Sequence, residues 1–132
     1  MAKPAGMKWP PAPPENVEAF TRATTPLRGV EARKMFGYPA VFVNGHMIAG
    51  LVRDRMVIRL DMNDRERFLS LPGAAPFIAM KGRLMKQWAV VPPQMMKSPA
   101  RLGRWLRRAL SYGRSLPPKF ARRVRAKRPA AN

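Results

Sequence analysis

The residues of this chain that could do acid–base or metal chemistry are few, and they do not converge. A single histidine, His46, follows directly on the Asn44-Gly45 pair. A metal site around it would need further nitrogen, thiolate or carboxylate ligands. The chain has no cysteine, so only carboxylates could complete one. His46 therefore reads as an ordinary surface histidine just after a turn. Asp61, Asp64 and Glu66 are close enough in sequence to suggest a general acid and base. They also stand at the start of a helical pattern, where Asp61 is a cap and Asp64 takes the capping-box position. That simpler assignment accounts for them. Serine and threonine hydroxyls occur without a histidine at a useful spacing, and the nine glycines form no phosphate-cradling loop after a strand. No catalytic residue, cofactor or metal is expected, and the chain is read as no enzyme.

What remains is charge. The net charge is +19, and all seven acids (Glu15, Glu18, Glu31, Asp54, Asp61, Asp64 and Glu66) lie before residue 67. From Lys97 onward there are twelve Lys or Arg and no acid. Five of these, Arg101, Arg104, Arg107, Arg108 and Arg114, fall on one side when the segment is turned about 100° per residue as a helix. Lys119, Arg122, Arg123, Arg125, Lys127 and Arg128 follow at once. Contacts from such residues to phosphates give affinity without sequence preference, and that affinity falls steeply with salt. The pattern holds no helix-turn-helix or zinc-finger spacing that would read bases. The expected partner is DNA or RNA, met through its backbone. The plainer assignment is a solvated helix face and a solubilising tail.

The stretch from Arg33 to Leu60 must supply the frame that positions this helix. It is the longest run of strand-forming residues, broken at Asn44-Gly45 and at Arg53-Asp54-Arg55. Asn-Gly is the strongest short hairpin signal. A two-residue loop there pairs Val43 with His46, Phe42 with Met47, Val41 with Ile48 and Ala40 with Ala49. One face then carries Ala40, Phe42, Met47, Ala49 and Leu51. A second turn at Asp54-Arg55 would extend that face by pairing Leu51 with Ile58 and Ala49 with Leu60. This face is expected under helices. The opposite face, Val41, Val43, His46, Ile48, Val52, Val57 and Arg59, is mixed. It is expected to be half solvated or to form a surface for another chain, as is the sheet edge. Another protein or a second copy of the chain is thus the alternative partner.

Around this meander the pattern predicts helices over 15–24, over 62–71 behind Asp61, and over 99–116 behind Ser98-Pro99. Two further strands are predicted at 75–80 and 87–91, joined through Lys81-Gly82-Arg83. The fold class is α+β, in two layers, with an antiparallel sheet of about five to six strands and helices packed on one face. In the closing helix Leu102, Leu106, Ala109, Leu110, Gly113 and Leu116 form the apolar stripe. Residues 1–13 read as a flexible Pro-rich lead, 14–116 as the packed domain and 117–132 as a disordered basic tail. No segment approaches the ~20 apolar residues that span a bilayer, and the start of the chain lacks the apolar core of a signal peptide. A cytoplasmic location is expected.

The series Arg33-Lys34-Met35-Phe36-Gly37, an apolar strand, Asn44-Gly45, a strand ending Ala49-Gly50-Leu51-Val52 and a third from Met56 to Leu60 resembles the N-terminal domain of the TfoX (Sxy) competence regulators. Pro76-Phe77, the segment from Trp88 to Pro92 and the closing helix are also similar, so the resemblance spans roughly residues 14 to 116. It implies a two-layer α+β fold and a regulatory role near the transcription of DNA-uptake genes. It implies no catalytic residues.

Overall fold

The computed structural model describes residues 10–79 and 82–118. In chain order the elements are α1 (Pro14–Thr24), β1 (Glu31–Met35), β2 (Tyr38–Val43), β3 (His46–Val52), β4 (Arg55–Arg59), α2 (Met62–Leu69), β5 (Ala75–Ala79), β6 (Arg83–Val90), a 3₁₀ turn (Pro93–Lys97) and α3 (Pro99–Ser115). Six strands form one open sheet in the order β1-β2-β3-β4-β6-β5, each antiparallel to its neighbour. The three helices cover one face, giving the two-layer α+β fold expected. Residues 1–9 and 119–132, with Met80 and Lys81, lie outside the described residues. Pro10 to Pro13 rest against the domain. The Tyr38 hydroxyl donates to the Pro10 carbonyl at 2.5 Å, and Ala12 packs on the core.

The first two hairpins turn as left-handed conformations dictate. Asn44 and Gly45 have φ of 52° and 84°, and Phe36 and Gly37 have 55° and 85°. Two successive positive φ values match the right-handed twist of the strands they join. Val43 pairs with His46 and Phe42 with Met47, as the turn requires. Beyond these pairs the register departs from expectation. Val41 faces Ala49 and Ala40 faces Gly50, so Ile48 is an extra residue, a β-bulge.

The bulge decides which face is buried. Because it puts Ile48 and Ala49 on the same side, Val41, Val43, His46 and Ile48 join Ala49, Leu51, Met56 and Ile58 beneath the helices. The face expected to be mixed is therefore half of the core, and the face expected to be apolar contributes the other half. Gly113 of α3 shows the contact. A Cβ added there would lie 2.6 Å from Val43 Cγ1 and 2.7 Å from Ile48 Cγ2. His46 is correspondingly no surface residue. It is buried, and its Nε2–H donates to the Pro117 carbonyl at 2.6 Å, which pins the chain just past α3 to the β2–β3 hairpin.

The β3–β4 hairpin turns at Arg53-Asp54, one residue earlier than expected, with Arg53 at φ 57°. Leu51 pairs with Met56 and Ala49 with Ile58, rather than with Ile58 and Leu60. The shift is two residues, an even number, so no side chain changes face. On the open face Ala40 and Val57 are 1% exposed although no helix lies over them. Long side chains lie down there instead. The Arg33 guanidinium is 4.5 Å from the Phe42 ring centre, that of Arg55 is 6.0 Å from Phe77, and the Met47 methyl covers Gly50.

Capping follows the sequence in part. Asp61 Oδ1 accepts from the Asp64 N–H at 2.8 Å and starts α2. The Asp64 carboxylate does not close a capping box; it turns to α3. Ser98 precedes α3 without a side-chain cap bond, and Pro99 at the first turn supplies the preset φ.

Candidate nucleic-acid interface

α3 is seated by the stripe that its sequence predicts. Leu102, Leu106, Ala109, Leu110 and Gly113 are buried, and Leu116 is half-buried at the cap. The five arginines of the helix are exposed on its other side. They are not equivalent.

Arg108 is engaged within the protein. Its guanidinium meets Asp64 Oδ1 at 3.0 Å, and Asp64 itself is 8% exposed. Arg67, one turn along α2, reaches the same oxygen at 3.6 Å. Arg108 also lies 5.6 Å from the centre of the Trp105 ring, and Trp105 meets Phe68 edge to face at 4.9 Å. One carboxylate and one edge-to-face ring pair thus join α2 to α3. The i, i+3 spacing of Asp64 and Arg67 was readable in the sequence. The third partner is 44 residues away and was not. Arg67 is the cation that sequence reasoning missed. It is exposed beside α3 and shares with Arg108 a single negative charge.

Arg114 is engaged too. Its Nη2–H donates to the Arg28 carbonyl at 2.7 Å, tying the last turn of α3 to the loop before β1. Gly29, with φ 78°, is shaped around it: a Cβ there would come 3.0 Å from Arg114 Nη2. Arg59 is a further neighbour of α3. Its guanidinium is 5.9 Å from the Tyr112 ring and donates to Gln87 at 2.6 Å. Burial lowers its pKa from the ordinary arginine value, and electrostatic attraction to Tyr112 opposes that shift.

Arg101, Arg104 and Arg107 differ from these. All three are exposed, and none makes a hydrogen bond or an ion pair with the described residues. The remaining cations expected to take part, Lys119, Arg122, Arg123, Arg125, Lys127 and Arg128, lie outside the described residues. Three charged, flexible donors on one side of a rigid helix can meet successive anionic oxygens with little loss of existing contacts.

Among the described residues no other place gathers chemistry. A groove of about 490 Å³ runs between α1 and β1, lined among others by Phe20, Thr24, Leu27, Val30, Ala32 and Val41, and no acid or histidine lines it. The Thr24 and Thr25 hydroxyls beside it donate to the carbonyls of Phe20 and Thr21. Among the described residues no three His, Cys, Asp or Glu stand together as a metal site would need. Among them, too, no helix is long and apolar enough to cross a membrane.

Compared with the curated proteins, the chain matches none. A family model described as the TfoX N-terminal domain matches residues 22–112, from the last turn of α1 through the whole sheet to Tyr112 near the end of α3. With its hairpin series, its six-stranded sheet and that match in agreement, the chain belongs to the TfoX N-terminal domain family.

Proposed function

We propose that this protein is a non-catalytic regulatory module of the competence-regulator type, working in the cytoplasm. It associates with DNA or RNA through the outward side of α3 and the basic run beyond Pro118. The observation that supports this reading is the state of Arg101, Arg104 and Arg107. They are exposed, unpaired within the described residues, and carried on a helix whose other side is locked to the sheet. The chain continues from that helix into six more cations without an acid. Such a surface binds phosphates, releases condensed counterions and shows no base preference. Arg67, sharing Asp64 with Arg108, adds to the same positive field.

The test is a salt titration. Binding of a labelled DNA duplex is followed by fluorescence anisotropy between about 50 and 200 mM salt, for the full chain and for a chain ending at Pro118. The full chain is expected to bind with a steep negative slope of log K against log salt. The shortened chain is expected to bind more weakly with a shallower slope. Absence of binding by the full chain at the lowest salt, or slopes that coincide, would count against the proposal.

A further inference from the structure

The sheet has two edges, and they are protected differently. β5 carries Pro76, which has no N–H to offer a neighbouring strand, and its pairing with β6 is irregular between Pro76 and Ile78. β1 has neither device. Its five residues contain no proline, pair with β2 without a bulge, and expose Glu31, Ala32, Arg33 and Lys34. Its outer row of backbone N–H and C=O groups has no strand beside it among the described residues. Such a row is a template for another strand.

The charges on β1 say which strand fits. Glu31 and Arg33 point to the open face of the sheet and already meet each other at 3.1 Å. If a second copy adds its β1 antiparallel about a twofold axis normal to the sheet, the residue on the axis faces itself. An axis at Glu31, Arg33 or Lys34 sets like charges opposite one another, which is destabilising. An axis at Ala32 does not. It sets Ala32 against Ala32 and, twice over, Glu31 of one chain against Arg33 of the other. Lys34 then lies opposite Val30, where its aliphatic stem covers apolar surface.

We infer that two copies of this chain pair through β1, with Ala32 on the twofold axis and Glu31 and Arg33 exchanging partners across it, to form one continuous twelve-stranded sheet. The grooves beside β1, to which Val30 and Ala32 contribute, meet over the axis on the helix side. Arg114 is bonded to Arg28, four residues before Ala32, so the ends of both α3 helices are drawn toward the joint. A dimer therefore doubles the cationic surface without any change in the protomer. This inference rests on the β1 edge alone and stands or falls apart from nucleic-acid binding.

The experiment is sedimentation of the full chain, treated with nuclease, over a series of concentrations at about 0.15 M salt, where repulsion between two strongly basic chains is screened beyond ~8 Å. The particle is expected to move from 14.9 kDa toward twice that mass. Ala32→Lys, at an exposed position, puts two ammonium groups face to face on the axis and is expected to weaken association at least tenfold. Arg33→Glu sets carboxylates against carboxylates and is expected to do the same. The double exchange Glu31→Arg with Arg33→Glu restores opposite charges and is expected to return the affinity to within a fewfold of the original. Circular dichroism checks that each variant is folded. A chain that stays monomeric at about 100 μM, or a dimer indifferent to either single substitution, overturns the inference.

Discussion

Arg104 and Arg108 sit one turn apart on α3, are the same residue type and are both exposed, yet they do different jobs. Arg108 is held by Asp64 and stacked near Trp105, so it belongs to the joint between two helices. Arg104, with Arg101 and Arg107, is held by nothing described and is available to a partner. Arg114 falls with Arg108, though its partner is a carbonyl and not an acid. The difference shows that an amphipathic pattern identifies the side of a helix that faces outward. It does not show which of the outward residues are already spoken for.

Breaking the seat of the helix should have the largest effect, because both groups depend on it. Gly113→Ala would raise stability in an exposed helix by up to about 1 kcal/mol. Here the new methyl meets Val43 and Ile48 at under 3 Å, so a loss of about 2 kcal/mol is expected instead. Urea unfolding followed by Trp fluorescence reads the sign directly, and a stabilised variant would mean that α3 is not pressed on the β2–β3 hairpin.

Asp64→Ala comes next. It removes the partner of Arg108 and Arg67 together, from a site that is largely buried on the acid's side, and about 1 to 1.5 kcal/mol of stability should go with it. His46→Ala tests the neighbouring anchor. Losing the bond to Pro117 and the buried ring should lower stability by about 1 to 2 kcal/mol, read as a fall in the unfolding midpoint. An unchanged midpoint in either variant would place that contact outside the folded joint.

The smallest effects sharpen the comparison most. Arg104→Ala should leave stability within about 0.5 kcal/mol and reduce the salt slope of DNA binding by about one. Arg108→Ala should do the reverse, costing close to 1 kcal/mol of stability with less change in slope. If both variants behave alike in both measurements, the division of α3 into held and available arginines is wrong.

Much of the architecture was readable because it rests on local chemistry. Asn44-Gly45 announced its own turn, the Leu102 to Leu110 stripe announced the buried side of α3, and Asp61 announced the start of α2. The bulge at Ile48 was not readable. Ile48 and Ala49 are both apolar, so either could have faced the core, and pairing alone gave no reason to prefer the interrupted register. What favours it is the helix layer: with the bulge, Val41, Val43, Ile48, Ala49 and Leu51 all lie under one roof. His46 was misplaced for the same reason. Its surroundings depend on Pro117, 71 residues further on.

By itself, then, the order of residues determined the presence of the helices and strands, the Asn44-Gly45 turn, the amphipathic side of α3 and the concentration of cations behind it, since each follows from neighbours within a few positions along the chain. The tertiary structure alone decided which sheet face is roofed, that His46 is inside, that Arg108 and Arg114 are engaged, and that β1 and β5 are the outer strands of the sheet. Those outcomes depend on groups brought together from distant parts of the chain, and no local pattern encodes which distant group will arrive.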